Sequence, residues 1–262
     1  MSLLLSELRL RRLSLLVWTI SVAALMLMLV AFYPQIRHDA SLNDLYEGMS
    51  TSVQALLGGS DLTSPVGYLN TQAFAFFLPA VLLVYGIGRG AASVAGEEQA
   101  RTLDLLLAQP LRRSSAYLQK ALAVAAGVAL LTFATWLPLA LANGPVQFDL
   151  PQANLLAVCV QMGLFALAIS LGAQAIATAS GRSSLGVAIA AAYAFVSYLV
   201  YGLSQTVDWL AHLRPLTLWR WYLFGDPLRS GWDISAVVVL VLTSVVLLGL
   251  GIWAFQRRDL RS

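Results

Sequence analysis

Charge is scarce in this chain, and what is missing narrows its function before any motif is read. Only 11% of the 262 residues are charged and 59% are hydrophobic, whereas soluble proteins carry about 25% charged residues. A soluble globular domain is excluded. Sixteen basic and thirteen acidic residues leave a net charge of +3, with no basic stripe to follow a phosphate backbone, so no nucleic-acid partner is expected. A single cysteine, Cys159, rules out an intramolecular disulfide and a metal site built on thiolates; it reads as a small packing residue. The two histidines, His38 and His212, lie outside the apolar runs, and no Asp or Glu falls inside one. An H-E-x-x-H metalloprotease, an intramembrane aspartyl protease and a serine-histidine dyad therefore lack their parts. The only lysine, Lys120, is followed by Ala121, which excludes a P-loop ending in G-K-[ST]. No catalytic residue and no metal ligand is expected, and any ATP must bind another chain.

What is present is a set of six uncharged stretches, 13–36, 62–88, 121–148, 150–181, 183–207 and 234–256. A hydrocarbon core of roughly 30 Å needs about 20 helical residues, and backbone polar groups in lipid must be satisfied within the helix. The fold expected is all-α: a polytopic membrane protein, one transmembrane domain over 1–262. Its spans are placed near 13–33, 70–89, 117–142, 153–179, 184–206 and 233–256.

Basic residues flanking spans are retained in the cytoplasm, and here they are unevenly divided. With both termini inside, the inner segments hold Arg9, Arg11, Arg12, Arg89, Arg101, Arg112, Arg113, Lys120, Arg182, Arg257, Arg258 and Arg261. The outer loops hold only Arg37, Arg214, Arg220 and Arg229. Both termini are expected in the cytoplasm. Residues 2–12 alternate leucines with Glu7 and arginines, which fits a short surface helix or a plain basic anchor. The apolar run that follows is too long for a secretory signal and has no A-x-A site.

The longest inner segment lies between the second and third spans and reads as a short helix over 96–109. Glu97 and Glu98 suit its positive end, Arg101 follows at ion-pairing distance, and Pro110 closes it. Leu103 and Leu107 share an apolar face with Leu106 beside them, while Glu97, Arg101 and Asp104 are expected on the wet side. Pattern alone leaves two readings, a helix resting on lipid headgroups or a docking helix for a cytoplasmic partner.

The run Gly96-Glu-Glu-Gln-Ala-Arg-Thr-Leu-Asp-Leu-Leu-Leu-Ala-Gln-Pro110, followed by Leu111-Arg112-Arg113, resembles the cytoplasmic loop of type-2 ATP-binding-cassette (ABC) exporter permeases. That loop typically reads glutamates, Gly-Thr-Leu-Glu/Asp-Leu-Leu-Leu, then Pro and a basic residue. The ending Phe255-Gln-Arg-Arg-Asp-Leu260 resembles the family's usual C-terminus. Arg101 departs from the pattern, standing where the family usually has Gly. The resemblance implies a coupling helix seated in a groove of the ATPase subunit, with Glu97, Glu98, Thr102, Leu103, Asp104, Leu106 and Leu107 making the contact. It further implies two ATPase subunits that carry ATP and Mg, a second permease copy forming a homodimer, and a bacterial cytoplasmic membrane as the setting. This chain itself would bind no cofactor. An ion-coupled secondary transporter and a non-transporting scaffold stay open, although the former usually shows membrane-embedded ionisable groups or paired broken helices, and neither is legible.

Three other features need placing. Gly86-Ile-Gly88-Arg-Gly90-Ala91 fits G-x-G-x-x-A, but a membrane span precedes it instead of a buried strand, so close packing or a bend is expected there. The loop between the fifth and sixth spans carries Trp209, Trp219, Trp221 and Trp232. It suits an interfacial belt or, by resemblance, short helices that dip back and close the outer end of the path. Finally, Gln72 and Phe76 in the second span and Tyr193 and Ser197 in the fifth are candidates for a substrate path, since the resemblance places those spans at the central cavity.

Overall fold

The fold was read from a computed structural model that describes residues 9, 11–37, 44, 48–57, 63–99, 113–204 and 206–257. Six helices among them are long and apolar enough to cross a membrane, and no strand is found there. Span 1 is Arg12–Ile36, span 2 Pro65–Ser93, span 3 Arg113–Ala142, span 4 Gln152–Ser180, span 5 Ser183–Leu203 and span 6 Ile234–Arg257. The surface helix expected over 2–12 lies outside the described residues apart from Arg9, Arg11 and Arg12.

Span 4 is the axis of the bundle. Two thirds of its most apolar window is buried, against 17% for span 1 and 22% for span 6, and it packs against spans 2, 3, 5 and 6. Lipid offers little apolar driving force between helices, so close contact through small residues must supply the attraction. The glycine run of span 2 does this. A Cβ on Gly86 would meet the Ser170 hydroxyl at 2.0 Å, and one on Gly90 the Ser170 carbonyl at 2.2 Å, while Gly88 points into open space. The expected role of this run as a packing surface is thus met on one face, and its partner is span 4.

Span 2 is not one continuous helix. An α-helical turn, Pro65–Leu69, runs into a π-helical turn, Asn70–Phe74, and the α-helix resumes only at Phe77–Ser93. Pro79 explains the interruption, because it has no N–H to give the carbonyl one turn back and its ring collides with that carbonyl. Pro138 lies within the helix Arg113–Ala142, which runs on past it.

Contacts between span ends define two faces. On one, the start of span 1 meets the end of span 2 through Trp18 and Tyr85, 5.7 Å apart, and Tyr117 of span 3 packs on Phe255 of span 6 at 6.0 Å. Arg12, Arg113, Arg182 and Arg257 lie at this basic face. The opposite, aromatic face has Tyr33 against Tyr68 and Phe148, and it carries the loop between spans 5 and 6. That loop forms short helical turns at Asp208–Ala211, Arg214–Leu216, Leu218–Tyr222 and Pro227–Ser230.

Candidate functional site

At the basic face, span 2 ends at Ser93 and a short helix, Ala95–Gln99, follows after Val94. This is the start of the segment expected to couple to a partner. Glu98 is half-buried. Glu97 was expected on the wet side; instead its carboxylate reaches Lys120 Nζ at 2.5 Å, with the lysine side chain 3% exposed and the glutamate 18%. The reason lies in span 3, whose helix begins at Arg113 and so carries Lys120 about 10 Å in from that end. An ammonium at that depth needs a counter-charge, and Glu97 supplies it. Gln99 makes a second attachment. Its side-chain oxygen accepts from Ser183 Oγ at 2.9 Å, and its amide donates a longer bond, 3.5 Å, to the Gly181 carbonyl. The helix Ala95–Gln99 is therefore joined to span 2 through Val94 alone, ion-paired to span 3 and fastened to the link between spans 4 and 5. Thr102, Leu103, Asp104, Leu106 and Leu107 lie outside the described residues.

At the aromatic face three spans grip the loop. Asn154 of span 4 donates to the carbonyls of Leu228 and Arg229 at 3.0 and 2.9 Å. On span 5, Ser197 Oγ accepts the Trp219 backbone N–H at 3.3 Å, and Tyr193 Oη accepts from the Leu218 N–H at 3.2 Å while donating to the Leu216 carbonyl at 3.1 Å. Two span-5 hydroxyls thus satisfy the free N–H groups that open the helix Leu218–Tyr222. Span 2 contributes the Phe74 carbonyl, which accepts a 2.9 Å bond from Tyr222 Oη.

Aromatic rings fill the space between these bonds. Trp219, 1% exposed, touches Phe165 and Tyr198 at 5.0 Å each and Phe76 and Tyr222 at 6.4 Å. Tyr222 stacks on Phe165 at 5.4 Å. The four tryptophans of the loop divide accordingly. Trp209 and Trp232 are exposed as an interfacial belt would have them, Trp221 donates its indole N–H to the Pro215 carbonyl, and Trp219 is inserted into the bundle.

Of the four residues picked for a substrate path, three meet around the helix Leu218–Tyr222: Tyr193 and Ser197 bond its first turn, and Phe76 packs on Trp219. Gln72 lies exposed on the π turn, and no hydrogen bond joins it to the others among the described residues. The reading of the sequence missed Lys120, Asn154 and Tyr222, each bonded across a long stretch of chain. It also missed Gln161 and Gln174 of span 4, fully buried with amides that find no partner among the described residues. An orphaned buried amide costs about 1–3 kcal/mol.

The arrangement holds a basic end and an aromatic end apart across one bundle. A family model described as ABC-2 family transporter protein matches residues 1–260. No individually curated protein matches the chain. ABC-2 permeases are membrane subunits that work with ATPase subunits. Six apolar helices and a match over almost the whole length make this chain a multi-pass member of the ABC-2 transporter family, an ABC transport permease.

Proposed function

We propose that the chain is the transmembrane half of an ATP-driven exporter of apolar or amphiphilic molecules. It would act as one permease domain over 1–262, paired with a second copy of itself and with two ATPase subunits that hold ATP and Mg. The observation that carries this reading is the threefold attachment of Ala95–Gln99. A segment fastened to span 2, to Lys120 of span 3 and to the link between spans 4 and 5 passes a displacement to four spans at once. The coupling helix, read over 96–109, would sit on the ATPase through Glu98, Thr102, Leu103, Asp104, Leu106 and Leu107, with Glu97 turned inward to the bundle. The basic face would be cytoplasmic, in the cytoplasmic membrane of a bacterium, following the distribution of Arg and Lys.

Apolar cargo is supported by the walls of the bundle. A cavity of about 300 Å³ between spans 2 and 5 is bordered by Phe76, Leu83, Val84, Phe195, Tyr198 and Trp219. A second, of about 470 Å³, lies between spans 4, 5 and 6 beneath the loop, where Tyr193, Leu216 and Trp221 border it. Neither contains a charged side chain. Gln161 and Gln174 are polar groups that a second conformation, or water entering the bundle, would satisfy.

The test is affinity copurification of the tagged full-length chain from membranes. An ATPase subunit is expected to come with it, and Leu103→Asp should reduce its recovery by orders of magnitude, because a lone carboxylate in a protein interface is strongly unfavourable. Recovery of wild-type chain with no ATPase sinks the energising partner. Undiminished recovery with Leu103→Asp, with ATP-driven transport unchanged, moves the coupling element elsewhere.

A further inference from the structure

We propose that Tyr222 is the positioning residue that keeps span 2 in its broken form, its phenol donating the hydrogen bond that Pro79 is unable to give. Counting back from Pro79, an α-helix would direct the missing N–H to the Ala75 carbonyl and a π-helix to the Phe74 carbonyl. The turn Asn70–Phe74 is in the π register, with Ala75 N–H on the Asn70 carbonyl. Phe74 is therefore the carbonyl whose next partner in that register is proline. It is fully buried, so no lipid or bulk water reaches it, and backbone groups at membrane depth demand a partner from the protein. Tyr222 Oη fills the role at 2.9 Å across 148 residues of sequence.

Tyr222 ends the helix Leu218–Tyr222, whose first turn is bonded to Tyr193 and Ser197 of span 5. The break in span 2 and the docked loop are consequently one unit. Lifting the loop orphans the Phe74 carbonyl while span 2 stays broken, and a straight α-helix would give that carbonyl the Leu78 N–H but leave the Ala75 carbonyl facing Pro79. Opening of the aromatic face thus requires both to change together. π turns inside helices are frequent at functional sites, and proline is tolerated in membrane helices because neighbouring groups re-satisfy the backbone it frees.

The test uses the full-length permease with its ATPase in nanodiscs, where both faces are open to reagent, so its outcome does not depend on orientation or on transport. In a Cys159→Ala background, Ala80→Cys reports from the cavity just beyond the break, and its labelling by a hydrophilic maleimide is timed without nucleotide. Tyr222→Phe keeps the ring and removes the donor; it should speed labelling by about tenfold or more, the weight of one orphaned buried acceptor. Pro79→Ala restores an N–H, and in that background Tyr222→Phe should change the rate by less than about twofold. Unchanged labelling in Tyr222→Phe overturns the proposal. So does an effect of Tyr222→Phe that is the same with and without Pro79, since that marks ring packing, not donation to Phe74. If Tyr222→Phe fails to accumulate, its membrane level becomes the readout: Pro79→Ala restores the level if the carbonyl is the cause, and failure to restore it rejects the idea.

Discussion

The two faces of this bundle are fastened by opposite kinds of chemistry. At the basic face one buried ion pair, Glu97 with Lys120, pins a five-residue helix to span 3. At the aromatic face the loop is held by neutral bonds to hydroxyl, amide and carbonyl groups and by packed rings. An ion pair out of water resists separation, since each partner left alone is strongly disfavoured. Packed rings spread their hold over many individually weak contacts. The difference teaches that losing one partner is expected to cost more at the basic face than losing one contact does at the aromatic face.

The sharpest way to break the comparison is Lys120→Met, which leaves the Glu97 carboxylate in a nearly closed site. Removing one partner of a buried pair costs about 3–5 kcal/mol, so thermal melting of the purified protein should drop by many degrees. Exchanging the charges, Glu97→Lys with Lys120→Glu, should recover much of the loss. No recovery from the exchange would show that shape, not charge, joins the two residues.

A smaller effect is expected at the aromatic face from Trp219→Ala, which empties the space between Phe76, Phe165, Tyr198 and Tyr222. About 3 kcal/mol is expected from the cavity, and no exchange of partners should restore it because four rings share the contact. The melting midpoint decides: a loss below about 1 kcal/mol would mean that the loop is not held by its rings.

The smallest effect tests the entry to span 6. Asp233 accepts from the Ser235 hydroxyl and from the Ala236 N–H at 3.1 Å, and the Ser235 bond foremost holds its carboxyl below the usual 3.8. A carboxyl with a lowered folded pKa stabilises the folded state above its unfolded pKa, and that gain disappears as pH falls through the folded value. Asp233→Ala should therefore cost about 1 kcal/mol near neutral pH, the worth of a helix cap, and the gap to wild type should narrow only below about pH 4. Melting curves from pH 7 to pH 3 check it; a gap that persists undiminished at pH 3 contradicts the assignment.

Much of the fold was legible because the membrane imposes a one-dimensional rule. Uncharged length finds spans without any knowledge of contacts, and the glycines at 86 and 90 announced a packing surface before its partner was known. The rule failed where a charge was drawn inward. The uncharged stretch begins only at Ala121, eight residues after the span 3 helix starts at Arg113, because the counter-charge that admits Lys120 comes from Glu97, elsewhere in the chain. Pro79 likewise announced a disturbance in span 2, but nothing local could name Tyr222 as the donor that repairs it. Tyr193 and Ser197 were noticed as polar groups facing a path; their bonds to the loop became visible only when 218–222 was folded against them.

Span 4 ends at Ser180 and span 5 begins at Ser183, with Gly181 at φ 69° and Arg182 between. A link of two residues leaves no slack, so the two helices form one stiff lever about 40 Å long. Gln99 grips the lever at this tip. Of the groups that hold the loop, Asn154 sits at its other end, and Tyr193 and Ser197 lie about 15 and 21 Å along it. Tilting the tip by a few degrees therefore displaces those groups by ångströms, and the two ends of the molecule need no relay of side chains between them to feel each other.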